Sequence, residues 1–250
     1  MLETIYNLIL IPWLILAILT FFLLFSVTAP YGKFSSSNWG ILINYRIGWF
    51  IQEIISPISF SYFFLTGSTG KSFTIWVLFS IWIFHYINRS IIFPIRIKNG
   101  SKIPIPIILS AISFNIINGF INGYHLGNYA FFDNEYIYSI KFIIGILIFI
   151  IGLVINLHSD QILINIKNKN IGYQIPKGGL YKFISCPNYL GEILEWVGFA
   201  IIAWSFPAFL FVIWTMANLI PRAKAQHIWY KEKFGSDYPN HKKAILPFIF

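Results

Sequence analysis

Charge is what this 250-residue chain has least of. Asp, Glu, Lys and Arg together make up 11% of it, against about 25% in an ordinary soluble domain. Acidic residues are scarcer still, nine against eighteen basic ones. With 57% apolar residues and a mean hydropathy of +0.68, a water-soluble globule is excluded and an integral membrane protein is indicated. Cysteine is almost missing: the single Cys186 rules out an intrachain disulfide, and no CxxC pair or His/Cys cluster offers a metal site. GxGxxG, P-loop and HExxH patterns are all absent, so any nucleotide is held outside a Rossmann domain. Nucleic acid is not an expected partner, because the basic residues alternate with apolar runs instead of gathering on a soluble module.

Long apolar runs are what the chain has instead. A helix needs about 20 mostly apolar residues to cross the hydrocarbon core. Seven stretches qualify: 5–27, 48–66, 72–95, 103–122, 138–158, 188–205 and 206–221. Only Ser205-Phe206-Pro207 divides the last two, and proline there predicts a tight hairpin or kink. The first run has no basic start and no small-residue cleavage site, so a retained span is expected. Seven spans put sixteen of the eighteen Lys and Arg on one side, leaving Lys71 and Lys141 on the other. The positive-inside rule then sets the N-terminus outside or lumenal and the C-terminus in the cytoplasm. The expected fold is an all-α integral membrane protein of seven transmembrane helices, a single polytopic domain over 1–250. Asn88-Arg89-Ser90 and Asn99-Gly100-Ser101 fit a glycosylation sequon but fall on the cytoplasmic side, where neither is modified.

Against this background the buried polar residues stand out. Glu53 lies in the apolar run Trp49-Phe50-Ile51-Gln52-Glu53-Ile54-Ile55, and an acid in a membrane segment is a functional hypothesis by default. Asn156 and Asp160 are spaced i, i+4 and share a helix face; they can hold hydroxyls or a carboxamide, or simply end a helix. In Ser185-Cys186-Pro187-Asn188-Tyr189-Leu190-Gly191-Glu192-Ile193-Leu194-Glu195, Pro187 suits a first helical turn. Asn188, Glu192 and Glu195 then form one stripe, able to receive a carboxamide or hydroxyls, or to neutralise Arg222 and nearby lysines. His85-Tyr86-Ile87-Asn88-Arg89 ends the third run, where tyrosine can anchor the interface and arginine can snorkel. The tail from Pro221-Arg222 to Trp229-Tyr230 mixes basic and aromatic residues at helical spacing, as a phosphate and adenine clasp or as an amphipathic surface helix. The net charge of +9 has the same two readings, topology with anionic lipid or a polyanionic cofactor at a cytoplasm-facing site.

Further blocks complete a pattern: Ala29-Pro30-Tyr31-Gly32-Lys33-Phe34, Trp39-Gly40, Ile175-Pro176-Lys177-Gly178-Gly179-Leu180 and the Pro-Phe-Ile-Phe terminus. With the constellations above, in this order and spacing, the chain resembles the steroid 5α-reductase family over nearly its whole length. The resemblance implies a seven-helix membrane reductase that uses NADPH to saturate the 4,5 double bond of a 3-oxo-Δ4 steroid. About 1–95 would bind substrate and about 96–250 the NADPH. By resemblance, Glu53 and Tyr86 bind the C3 carbonyl, and Asn118, Asn156, Asp160, Tyr173, Asn188, Glu192, Arg222 and Tyr230 line the cofactor cavity. Lys98, Lys102 and Lys167 fall close to the family's basic positions, where cations select a 2′-phosphate. Departures occur at Ile164 and Gln174, where animal members carry arginine, and at Gln226, which replaces a histidine; His227-Ile228-Trp229-Tyr230 is more like plant and bacterial members. The expected partners are a steroid or other lipophilic enone and membrane lipid, with the chain able to act as a monomer. The membrane is the endoplasmic reticulum in a eukaryote, the inner or plasma membrane in a bacterium. Very-long-chain enoyl-CoA reductases share Ser-Cys-Pro-Asn-Tyr, and polyprenol reductases are a further relative. A methyltransferase using S-adenosylmethionine is disfavoured by Ser185-Cys186-Pro187, and a transporter by the lack of inverted repeats.

Overall fold

The computed structural model describes residues 1–98, 100–169 and 172–250, so the sequon asparagine Asn99 lies outside the described residues. The fold is nearly all helical. Helix α1 (Leu2–Ser26) leads into a strap of two single 3-10 turns (Gly32–Phe34 and Ser37–Trp39) and strand β1 (Leu42–Ile43). Next come α2 (Tyr45–Leu65) and α3 (Phe73–Ile87), which runs through a π-helical turn (Asn88–Ile92) into the short α4 (Phe93–Arg96). Strand β2 (Ile103–Pro104) pairs antiparallel with β1 and opens α5 (Ile105–Asn128). Helices α6 (Ile140–Asn168), α7 (Pro187–Ala203) and α8 (Phe206–Phe234) complete the bundle.

Five segments are long and apolar enough to cross a membrane: α1, α3 through α4, α5, α6 and Phe206–Asp237. That makes this a multi-pass membrane protein. Helices form at the two remaining expected spans as well, but neither is among the five that meet this measure of length and apolar character. The 17 residues of α7 rise only about 26 Å, and α2 is diluted by Arg46, Gln52 and Glu53.

Helix ends differ most from the sequence reading in two places. The run expected to stop at residue 158 continues to Asn168, so Lys167 as well as Asp160 lies on α6. Likewise α8 passes through Pro221 to Phe234, carrying Arg222 and Tyr230 on the same helix as the last apolar run. In α8 hydropathy falls while helix propensity does not: Arg-Ala-Lys-Ala-Gln are good helix formers, and the helix stops only at Gly235, with φ of +51°. The expected hairpin between α7 and α8 is present. Trp204 takes a left-handed conformation, and the Ser205 hydroxyl accepts from the Ala208 N–H at 3.4 Å to start α8.

Close packing of α6 against α7 positions the polar residues. A Cβ added to Gly191 would lie 2.5 Å from the Asn156 nitrogen and 2.7 Å from the Gly152 oxygen, so these backbones touch only because both residues are glycine. Behind them sits an aromatic core in which Trp82 stacks on Phe60 at 4.4 Å and meets Trp196, Phe199 and Phe211.

Candidate active site

A cavity of about 650 Å³ opens among α1, α2, α3, α5, α7 and α8. Such a volume is typical of small-molecule sites, whose walls are mostly apolar with a few convergent polar groups. Leu16, Phe114, Phe211 and Trp214 are among its apolar walls, and Glu53, Tyr86, Arg89 and Glu192 are among the polar groups.

Glu53, Arg89 and Glu192 are each fixed by a neighbour. The Gln52 amide donates to Glu53 Oε1 at 3.1 Å, and the Asn115 amide of α5 donates to the Gln52 carbonyl at 2.7 Å. The Trp49 indole donates to the Arg89 carbonyl at 2.9 Å, tying α2 to the π turn. That turn re-aims the chain at the end of α3, a common device at functional sites. The Arg89 guanidinium faces Asp160 Oδ2 at 3.4 Å and Glu192 Oε2 at 3.7 Å, and its carbon lies 5.1 Å and 5.0 Å from the Trp49 and Phe93 ring centroids. Asn188 donates to Asp160 Oδ1 at 3.1 Å, and Asn156 donates to the Asn188 carbonyl at 2.9 Å, so the two helix-face pairs read from the sequence form one network. Glu195 turns elsewhere: its Oε2 lies 2.8 Å from His85 Nδ1, with both side chains buried.

A second cluster forms where the strap crosses α8. Arg222 donates to the carbonyls of Ala29 (3.2 Å) and Tyr31 (2.9 Å) and to the Tyr189 hydroxyl (3.2 Å). Gly32, at φ +64°, makes this clamp possible, since a Cβ there would lie 3.3 Å from the guanidinium. Lys33 Nζ sits 3.7 Å from the Trp229 centroid and 4.2 Å from that of Tyr230, buried and without a hydrogen-bond partner among the described residues. Burial brings its amine down to about 7, with the Arg222 charge a smaller push in the same direction.

Comparison with known proteins decides the family. The model for 3-oxo-5-alpha-steroid 4-dehydrogenase matches residues 101–250. Steroid 5-alpha-reductase DET2 of Gossypium hirsutum is 38% identical, covering 99% of this chain and 98% of that protein. The 3-oxo-5-alpha-steroid 4-dehydrogenase 1 of Rattus norvegicus is 35% identical over 90% of this chain and 87% of its own length; its Homo sapiens counterpart is 33% identical over 88% and 86%. The chain belongs to the steroid 5α-reductase family. Its relatives are oxidoreductases, and the match to the first of them takes in the N-terminal blocks as well as the C-terminal ones.

The residues expected of a steroid 5α-reductase distribute unevenly. Glu53, Tyr86 and Glu192 line the cavity, and Asn156, Asp160 and Asn188 stand in the network joined to it. Arg222 and Tyr230 belong to the strap cluster, and Tyr173 is largely exposed with its ring 4.9 Å from that of Trp229. Lys98 and Lys102 are exposed near the β1–β2 pair, whereas Lys167 lies 4.7 Å from the Tyr45 ring. Asn118 is fully buried in α5 and bonded to Asn122, away from the cavity wall. Ile164, at a family arginine position, packs in a core with Tyr45, Trp49 and Ile103, and Gln226 donates to the Tyr189 hydroxyl at 2.6 Å. The sequence reading gave no role to the clamp of Arg222 on the Ala29 and Tyr31 carbonyls. Main-chain acceptors leave no mark in side-chain patterns; the only available signal was a basic, glycine-containing aromatic turn, Tyr31-Gly32-Lys33.

Proposed function

We propose that this protein reduces the 4,5 double bond of 3-oxo-Δ4 steroids with NADPH, the C3 carbonyl being held by Glu53 and Tyr86. The carrying observation is that an acid and a phenol share one mostly apolar cavity of about 650 Å³ in a chain that aligns with steroid 5α-reductases from end to end.

NADPH fits the groups present. Lys33 is a buried amine with no hydrogen-bond partner among the described residues, and Arg222, Lys98, Lys102 and Lys167 add charge for phosphates, the last three serving the 2′-phosphate. Asn156, Asp160, Asn188 and Glu192 supply amide and carboxylate groups for the nicotinamide carboxamide and ribose hydroxyls, with Tyr173 and Tyr230 beside the adenine, whereas Asn118 is sealed inside α5 and takes no part. When bound, the reduced nicotinamide supplies a hydride.

The protein's part is to accept charge at the carbonyl. Addition of hydrogen to C5 drives electrons onto the C3 oxygen, and donors aimed there lower the barrier, typically by about 10²–10³-fold per donor. Tyr86 donates through its phenol. Glu53 donates as the neutral acid, with Oε1 engaged by Gln52 and Oε2 left to carry the proton. In the membrane, all seven long helices cross, with the N-terminus outside and the C-terminus in the cytoplasm on the side rich in lysine and arginine. Residues of about 1–95 then bind the steroid and about 96–250 the cofactor.

The test is conversion of progesterone and testosterone by membranes expressing the chain with NADPH, read by mass spectrometry, with Glu53→Gln alongside. A 5α-dihydro product that falls about 100-fold in the variant, while NADPH binding persists, supports the reading. Unchanged steroid kinetics would remove Glu53 from the mechanism. No conversion with NADPH binding intact would point to another enone or an enoyl-CoA.

A further inference from the structure

Saturating the 4,5 bond also requires a proton at C4, and the carbonyl clamp does not deliver it. We infer that His85 gives this proton from Nε2 and that Glu195 stands behind it as the reservoir, an assignment that rests on the proposed steroid reduction.

The geometry singles out this pair. His85 lines the cavity, immediately before Tyr86 in the chain, and the two rings lie 5.2 Å apart at 75°. C4 is bonded to the carbon whose oxygen Tyr86 would hold, so a ring beside Tyr86 stands at the same end of the steroid as C4. The Trp196 ring, 4.6 Å away and at 64°, packs on the imidazole and fixes its plane. Nδ1 is committed to Glu195 at 2.8 Å, whereas Nε2 has no hydrogen-bond partner among the described residues. Glu195 has no exposed surface and its Oε1 also has no hydrogen-bond partner among the described residues, an arrangement that costs stability and calls for a role.

The other polar groups on this wall are less suited. Arg89 does not release a proton in proteins. Asp160 is held by Asn188 and Arg89, and Glu192 faces Arg89. Glu53 and Tyr86 are occupied at the C3 oxygen.

The step balances. The resting pair is neutral, with one proton on Nε2 and one between Nδ1 and Oε2. Once C5 has gained hydride, the enolate carbon C4 forms a C–H bond as the Nε2–H bond breaks, and that bond's electron pair stays on the imidazole. The ring keeps Nδ1–H bonded to an ionised Glu195, and the steroid is again a neutral ketone. One proton from water then restores the pair, so each turnover consumes one hydride and one solvent proton. Glu195 acts through His85 and is a positioning residue; His85 is the catalytic one.

The experiment runs purified protein with NADPH and a 3-oxo-Δ4 steroid in D₂O, and locates deuterium at C4 by NMR for wild type, His85→Gln and Glu195→Gln. Wild type is expected to label one face of C4. His85→Gln should lose about 100-fold or more in kcat, keep NADPH and steroid binding within about threefold, and admit deuterium to both faces as water takes over. Glu195→Gln should keep one-face labelling with a lower kcat, an unchanged KM and a larger solvent isotope effect, which a purely structural brace would not alter. Should His85→Gln fail to fold, Glu195→Gln and the wild-type labelling still decide. One-face labelling at the wild-type rate in His85→Gln overturns the assignment, as does two-face labelling by wild type or an unaltered isotope effect in Glu195→Gln. A wild type that binds NADPH but reduces no such steroid overturns the proposed function itself, and with it this step.

Discussion

Substituting Gly191 by alanine tests the claim that glycine contacts between α6 and α7 set the polar network. The new Cβ would meet the Asn156 nitrogen at 2.5 Å, the Gly152 oxygen at 2.7 Å and the Asn156 Cα at 2.9 Å. All three are backbone atoms, so no rotamer change relieves the clash. Ordinary contact begins near 3.4 Å, and the helices must therefore part by roughly 1 Å, an overpacking that costs about 1–3 kcal/mol. The same displacement stretches the Asn156 bond to the Asn188 carbonyl, now 2.9 Å, beyond hydrogen-bonding distance, at about 1 kcal/mol. The expected loss is about 2–4 kcal/mol, or roughly 5–15 °C in Tm for a chain of this size. Thermal unfolding in detergent followed by tryptophan fluorescence measures it, and an NADPH titration of the same sample should show weaker binding, because Asn188 also holds Asp160 at 3.1 Å. Gly70→Ala is the control, since a Cβ there meets nothing within 4 Å. A Gly191→Ala protein that melts and binds NADPH like wild type would refute the packing argument.

Arg222→Lys should loosen the strap, because a single ammonium cannot reproduce the fork that reaches the Ala29 and Tyr31 carbonyls and the Tyr189 hydroxyl; faster proteolysis between residues 27 and 44 is the readout. Lys33 has its folded pKa lowered by burial to about 7 while the unfolded side chain titrates near 10.4, so between those values the unfolded state binds more protons and stability contributed by this group rises with pH. Lys33→Met should remove that rise between pH 7 and 10 from the Tm profile. Cys186 is buried and burial pushes its thiol up to about 12; it should resist iodoacetamide at pH 8 until the protein unfolds, which mass spectrometry can follow.

Local physics was legible in the sequence and tertiary pairing was not. The i, i+4 spacing of Asn156 with Asp160 and of Asn188 with Glu192 put each pair on one face, as a helix must. Nothing in that spacing tells which cation meets which acid. Arg222 was an expected partner of Glu192 and Glu195, yet it binds main-chain oxygens, while Glu192 faces Arg89 and Glu195 meets His85. The ends of α6 and α8 went unread because falling hydropathy marks where a membrane border would lie, and a helix continues past it as long as its backbone bonds are satisfied. The α6–α7 contact did leave a trace: Gly145 and Gly152 on α6, and Gly191 and Gly198 on α7, each recur after seven residues, two turns along one face.

These strands meet at Arg89. Its carbonyl is held by Trp49 of α2, its guanidinium faces carboxylates on α6 and α7, and the π turn that carries it follows directly on His85 and Tyr86. One residue thus couples the helix that bears Glu53 to the two helices that bear the amides and acids assigned to the cofactor. A lysine could supply the charge but not two directed contacts with flat stacking on Trp49 and Phe93. The scarcity of charge in this chain follows from the same logic. In a low-dielectric bundle each ion needs a built partner, and several of those retained in the bundle here gather in and beside the cavity, where the proposed reaction would use them.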